Sequence, residues 1–309
     1  GGTDPGLVER RFGSVLTVAR QHRTSVPVDH LSQLMPIDGP DGAGEVDAWL
    51  AAHPSVGSLV GDRVVAGPVP SDGESAERRS RGARFLREAE HAAERSLAPI
   101  DGLVRCIAVT GSTAYGEPAA NDDLDFLVVT RRGALWPVLL FAFLAARFRR
   151  PTAADGPSHW CFNYVLDEGL ARKQFADSRG FLFAREALTA RPVAGAAFYR
   201  GLVRDAGWMS EEVPRLYERW RADGLPELPP ERRAPLAIRA LNLALYPVLA
   251  PYLVLRGLVR NRRLRRHGEA DRAFRIQATV RRLAIETERF EELRKVYGPA
   301  SRRQSAERA

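Results

Sequence analysis

The stretch VTGSTAYGEPAANDDLDFLVVT, residues 109–130, constrains this chain more than any other. Two apolar runs, LVRCIAVTG (103–111) and LDFLVVT (124–130), read as strands, and a turn-rich segment joins them. A strand that ends in Gly111-Ser112 brings its backbone to a bend where a ligand can approach the main chain, because glycine tolerates angles closed to other residues. Amides presented by such a bend form a nest for anions, and Ser112 adds a hydroxyl. On the second strand Asp123 and Asp125 stand two apart, so both carboxylates share one face while Leu124 turns to the core. Carboxylates that close repel; either a cation sits between them or one takes up a proton. Magnesium suits the place, being hard, oxygen-seeking and satisfied by two carboxylates plus phosphate oxygens and water. Asp122 faces the other way and reads as solvated. Alone, Asn121-Asp122-Asp123 reads as a polar turn entering a strand. The Gly-Ser bend one strand earlier and the stiff apolar run that follows favour a site.

Around this centre the chain divides into three. Spacing predicts helices at 7–20, 28–35 and 45–52, then a hairpin over 58–67 turning at Gly61-Asp62. That is the element order of a winged helix, expected over residues 1–70. Its third helix, EVDAWLAAH, is acidic and lacks phosphate-reaching Arg or Lys, which favours a docking or dimerisation module over a nucleic-acid reader. Residues 68–73 read as a linker, Ser71 and Glu74 as a capping box, and 76–98 as one long helix ended by Pro99. The central domain, 71–190, continues with an apolar helix over Leu135–Phe148, a strand HWCFNYVLD at 159–167 and a helix near 180–190. A helix over 196–206 opens the last domain, 191–309, which reads as all-helical. It closes on an amphipathic helix over 270–297, where Ile276, Val280, Leu283, Thr287, Phe290 and Leu293 recur at spacings of three and four. The expected class is α/β (α+β).

With VTGSTAYGEPAANDDLDFLVV on the page, the chain resembles the DNA polymerase beta-like nucleotidyltransferase superfamily. Its hallmark is a strand ending in Gly-Ser or Gly-Gly, then Asp-x-Asp on the next strand. The resemblance is specific over roughly residues 100–170. It implies a mixed-sheet core and transfer of a nucleoside monophosphate from a nucleoside triphosphate to a hydroxyl or phosphate acceptor. Pyrophosphate leaves, and Mg2+ (or Mn2+) assists. By position, Gly111 and Ser112 would hold the triphosphate, and Asp123 and Asp125 the metal. Many members carry a third carboxylate on a later strand, which binds a second metal or activates the acceptor. The matching position in CFNYVL is Asn163, and an amide has no basic form. Alternation puts residues 163, 165 and 167 on one face, so Asp167 is the candidate substitute. Lys173 follows the strand where members often place a phosphate-neutralising lysine; it reads equally as a solvated helix lysine. Tyr115 is either a base-stacking or a packing aromatic, and Trp136, Trp160 and Trp208 are core or groove-lining residues. His159 shows no partner. Asn163 keeps a rival open: a catalytically inactive nucleotide-binding or regulatory module.

Charge and apolar patterning bear on partners. The 309 residues carry 46 Lys+Arg against 38 Asp+Glu, a net +8, which favours anionic partners. An RNA acceptor such as a tRNA end fits that charge; a protein or small-molecule hydroxyl is equally open. The two cysteines, Cys106 and Cys161, make neither a disulfide framework nor a zinc site and read as buried reduced thiols. The polar N-terminus lacks an apolar signal core, so a cytoplasmic address is expected. The run ALNLALYPVLAPYLVL (240–255) is shorter than the roughly 20 residues a bilayer span needs. It holds Pro247 and Pro251 and precedes the basic RNRRLRRHG. A buried, proline-broken helix pair is the first expectation. Contact of 240–266 with an acidic membrane surface is the second, and with it a membrane-surface scaffold as a further functional alternative; a true span is the third.

Overall fold

The structure, a computed structural model, describes residues 5–22, 25–34, 42–66, 72–116, 118–120, 122–148, 156–178, 180–269 and 273–287. The first unit runs α1 (Pro5–His22), β1 (Ser25–Pro27), α2 (Val28–Leu34), α3 (Gly42–Ala52), β2 (Ser58–Val60) and β3 (Arg63–Val65). The three strands form an antiparallel sheet in the order β1-β3-β2. The expected three helices and hairpin are present, and Ser25–Pro27 adds a strand that sequence spacing did not show. The linker at 67–71, with Ser71 of the expected capping box, lies outside the described residues. Then α4 (Asp72–His91) widens into a π turn at Ala92–Ser96 and is followed by a 3-10 turn at Ala98–Leu103 that carries Pro99, so the α-helix expected to reach 98 ends at His91.

A six-stranded mixed sheet follows. Its elements in chain order are β4 (Val104–Thr110), α5 (Gly111–Ala114), β5 (Leu124–Thr130), α6 (Leu135–Phe148), β6 (Trp160–Asp167), α7 (Glu168–Asp177), α8 (Phe181–Thr189) and β7 (Arg191–Ala194). Next come α9 (Ala196–Asp205), α10 (Met209–Glu212), α11 (Pro214–Ala222), α12 (Leu236–Arg266), β8 (Phe274–Thr279) and β9 (Arg282–Thr287). The strand order is β7-β4-β5-β6-β9-β8. Only β5 and β6 pair in parallel, with α6 as their crossover; the other pairs are antiparallel.

Period-two alternation sorts the strands between two apolar layers. Cys106, Ala108, Leu127, Val129 and Leu166 face the layer built by α7 to α11. Ile107, Val109, Leu124, Phe126, Val128 and Phe162 face the layer built by the end of α4, α6 and α12. Trp136 of α6 is wholly buried in the second layer, and burying a side chain of that size contributes about 3 kcal/mol. The first layer also takes in Phe12, Leu16, Leu31, Leu34 and Val64 of the N-terminal unit, so that unit shares its hydrophobic cluster with the helices of the core. His30 of α2 is half-buried there, meeting Tyr115 edge-on, and Gln33 accepts from Arg219 of α11 at 2.6 Å.

Two expectations for the last third are overturned. It is not all-helical: β7, β8 and β9 supply half of the central sheet. The stretch 274–287, expected within one amphipathic helix over 270–297, is a β-hairpin; residues 270–272 and 288–297 of that expected helix lie outside the described residues. Ile276 and Ala278, then Leu283 and Ile285, also alternate with period two, and pairing of β9 with β6 decides for the strand. Second, 240–255 is not a buried helix pair but part of one continuous helix, α12, with Pro247 and Pro251 inside it. Both prolines and Leu243 are exposed, so the carbonyls that lose their amide partners lie on the open side of the helix.

Candidate nucleotide site

β4 ends at Thr110, and Gly111 turns with φ +66° into the single helical turn α5. The register sets Thr110 opposite Asp125 of β5. A Cβ on Gly111 would lie 2.7 Å from Asp125 Oδ2. Only glycine both takes this backbone angle and leaves the carboxylate its place. The amides that open α5 have no acceptor within the turn, and Ser112 is half-exposed beside them.

Leu124 and Phe126 occupy the α6 layer, so alternation sends Asp123 and Asp125 to the other face together. Their neighbours come from the parallel strand β6 and the two residues that lead into it. Asp123 Oδ1 accepts from Ser158 Oγ at 2.6 Å and meets His159 Nδ1 at 3.3 Å, and its Oδ2 accepts from Cys161 Sγ at 3.3 Å. Asp125 Oδ1 accepts a hydrogen bond from Asn163 Nδ2. Cys161 and Asn163 are alternate residues of one strand, so the two aspartates sit side by side against them. Asp122 is half-buried, its Oδ2 accepting from the Ala119 amide at 2.7 Å.

Burial, then the charges of Asp123, Asp122 and Glu186, push the Asp125 carboxyl up from 3.8 to about 7. The same two aspartates, after burial, push the Cys161 thiol up. Among the described residues no Lys or Arg forms an ion pair with Asp123 or Asp125; the partner of Asp123 is His159, charged only when protonated.

The donor set suits a hard divalent ion. Asp123 and Asp125 offer carboxylate oxygens, Asn163 offers an amide carbonyl, and the missing Cβ of Gly111 leaves space beside Asp125. Among the described residues no three His, Cys, Asp or Glu side chains gather into a metal-binding group. The protein would therefore supply two carboxylates, leaving the other positions to phosphate oxygens and water, as magnesium sites commonly do.

Of the residues singled out from sequence, Gly111, Ser112, Asp123, Asp125 and Asn163 converge at this end of the central strands β4, β5 and β6. Three do not join them. Asp167 pairs in register with Thr130, at the far end of β5. Four residues of extended strand separate it from Asn163, about 13 Å. Its carboxylate caps α7 by accepting from the Leu170 amide and binds Arg281 through two bonds of 2.7 and 2.9 Å. The alternation itself also fails: the register shifts between the pairs Asp125–Cys161 and Leu127–Tyr164, so Tyr164 and Leu166 pack in the α7 to α11 layer, Val165 in the α6 layer, and residues 163, 165 and 167 do not share one face. Lys173 lies exposed on α7 with its ammonium on Asp177. Tyr115 packs: Arg185 lies 4.6 Å over its ring, His30 meets it edge-on, and its hydroxyl donates to Glu186 at 2.7 Å.

Trp136, Trp160 and Trp208 are core residues. Cys106 is a buried thiol, its pKa pushed up to about 12 by burial. Cys161, expected to be the same, is half-buried and bonded to Asp123. Sequence reasoning missed Ser158, His159 and Cys161 as a group. The available signal was HWC at the mouth of the strand, but only the parallel register, with Leu124 opposite Trp160, places it beside the aspartates. No family model, curated protein or solved structure matches this chain.

Proposed function

We propose that the chain is a magnesium-dependent nucleotidyltransferase, moving a nucleoside monophosphate from a nucleoside triphosphate to an acceptor hydroxyl. The observation that carries this reading is the coupled pair Asp123 and Asp125, held on one face within contact distance of the Gly111 bend. The bend offers amides and the Ser112 hydroxyl to phosphate oxygens. Asp123 and Asp125 would hold the ion, which would neutralise charge on the triphosphate and on its departing pyrophosphate. The rigid apolar register of β5 fixes both carboxylates, and Asn163 orients Asp125 through its amide. Positioning and field, rather than covalent chemistry, supply most of the acceleration in such a site. Asn163 cannot take the acceptor proton; His159, exposed beside Asp123, is the group there that can.

A second reading is favoured by Asn163 itself. A site with an amide at the third position binds nucleotide and metal without turnover, as a regulatory module would. The N-terminal unit has the element order of a winged helix, and we read it as a docking module: its α2 is committed to Tyr115 and Arg219, and α3 carries no basic residue. A cytoplasmic address goes with this reading.

One assay separates the readings. The chain is incubated with each labelled nucleoside triphosphate, Mg2+, and pools of RNA, protein or small hydroxyl compounds. Transfer of label with pyrophosphate release, lost by on the order of a thousandfold in Asp123→Ala, supports the enzyme. Magnesium-dependent nucleotide binding with no pyrophosphate released from any pool supports the inactive module. Absence of both sinks the nucleotide site.

A further inference from the structure

The N-terminal two-thirds of α12 is predominantly apolar yet covered on one side only. By length and composition it qualifies as a membrane span, but only 17% of its apolar window is buried. Its inner face is tied down along its length. Asn242 Oδ1 accepts from the Trp136 amide at 2.8 Å, Asn261 exchanges two hydrogen bonds with the Phe274 backbone, and Gly257 is pressed so close that a Cβ would meet Ile276 at 2.7 Å. Its outer face exposes Leu241, Val248, Tyr252, Leu255, Leu258 and Val259. That stripe is about 27 Å long at 1.5 Å per residue. The C-terminal half of α6, which packs on α12, exposes Leu144 and Phe148 as well. Soluble proteins rarely leave so continuous an apolar face open.

The geometry points to α12 as a docking face for an anionic membrane surface, on which the helix lies flat. The charge pattern chooses this occupant. The 31 residues of α12 include no Asp or Glu; the exposed Arg256 lies near the end of the stripe, and beyond it come the exposed Arg260, Arg262, Arg263 and Arg266. A second copy would bring the same acid-free surface and no counter-charge. Anionic lipid supplies both an apolar phase for the stripe and negative headgroups for the arginines, the arrangement of interfacial helices. A span would have to release the Asn242, Gly257 and Asn261 contacts from the sheet layer. Lying flat keeps them. The lipid readout needs no nucleotide or magnesium, so its failure and that of the nucleotide site are told apart.

The test uses the full chain and vesicles of equal parts phosphatidylglycerol and phosphatidylcholine, with pure phosphatidylcholine as control. The chain should sediment with the mixed vesicles at low salt and remain in solution with the control. Val248→Glu with Leu255→Glu, at positions 65% and 62% exposed, should lower the bound-to-free ratio by on the order of a hundredfold. Arg262→Ala, Arg263→Ala and Arg266→Ala together should also lower it, by on the order of a hundredfold at low salt. Circular dichroism checks both folds, and the arginine variant decides if the glutamate variant does not fold. No sedimentation with mixed vesicles overturns the proposal, as does sedimentation indifferent to the variants. A dimer that ignores lipid and dissociates in the glutamate variant overturns it in favour of a second copy.

Discussion

At the C-terminal end of β6, Asp167 is bound by Arg281 through two bonds, and the next residue, Glu168, is wholly buried with Arg105 at 3.1 Å and Arg172 at 2.6 Å. At the N-terminal end of the same strand, Asp123 and Asp125 face each other across Cys161 and Asn163, with no arginine or lysine paired to either among the described residues. A chain with 46 basic side chains does not lack the means to quench a carboxylate. One end uses arginine to complete the fold; the other holds its negative charge in tension, which an arriving cation would relieve. The contrast predicts opposite signs for similar substitutions.

The largest effect on stability should come from Asp167→Ala. It removes the cap of α7 and the two bonds to Arg281, and should lower unfolding free energy by about 3 kcal/mol. Denaturant titration measures this, and magnesium-dependent nucleotide binding by the folded fraction should be unchanged. A loss of binding in fully folded Asp167→Ala would break the comparison by bringing the far end of β6 into the site.

Asp125→Asn should act the other way. The folded, metal-free chain keeps a proton on Asp125 up to about pH 7, while the unfolded chain releases it near the ordinary 3.8. Between those values the folded state binds more protons, so this contribution to stability is full below about pH 4 and lost as pH rises through 7. Above pH 7, in chelator, Asp125→Asn should be more stable than the parent by roughly 2 kcal/mol and should flatten the pH dependence. Thermal unfolding across pH reads both. Equal melting of parent and variant at pH 8 would count against the tension described.

The smallest effect belongs to Asn163→Asp. A third carboxylate in the cluster should cost about 1 kcal/mol without metal. It should also raise magnesium affinity about tenfold, as charge count does in oxygen-ligand sites. If the substitution also raises nucleotidyl transfer, the site is an enzyme that works below its capacity. If transfer stays absent, the inactive module gains.

The aspartate pair was legible because a period of two is local: Asp123, Leu124 and Asp125 declare their faces within three residues. The Gly111 bend was legible for the same reason. Ser158, His159 and Cys161 were not, since they reach the pair through a parallel register set after a crossover helix, which no local pattern encodes. Asp167 misled because strict alternation was assumed through a strand whose register shifts between Cys161 and Tyr164, and because alternation in any case says nothing of distance. Residues 274–287 misled because Ile276, Val280 and Leu283 fit a helical period while their neighbours also fit a strand, and only pairing with β6 arbitrates. The run 240–255 read as buried because apolar helices usually are. Its exposure follows from how much of it the α6 layer can cover, which is a tertiary fact.

The crowding of Asp125 against Asp123 makes the molecule its own reporter. Whatever relieves that repulsion binds the folded form alone and so raises the melting temperature by mass action. Ions, nucleotides and acceptors can then be ranked by how they shift a thermal melt at pH 8, before any product has been seen. A compound that works only when magnesium and a triphosphate are both present would identify itself as the third member of the complex.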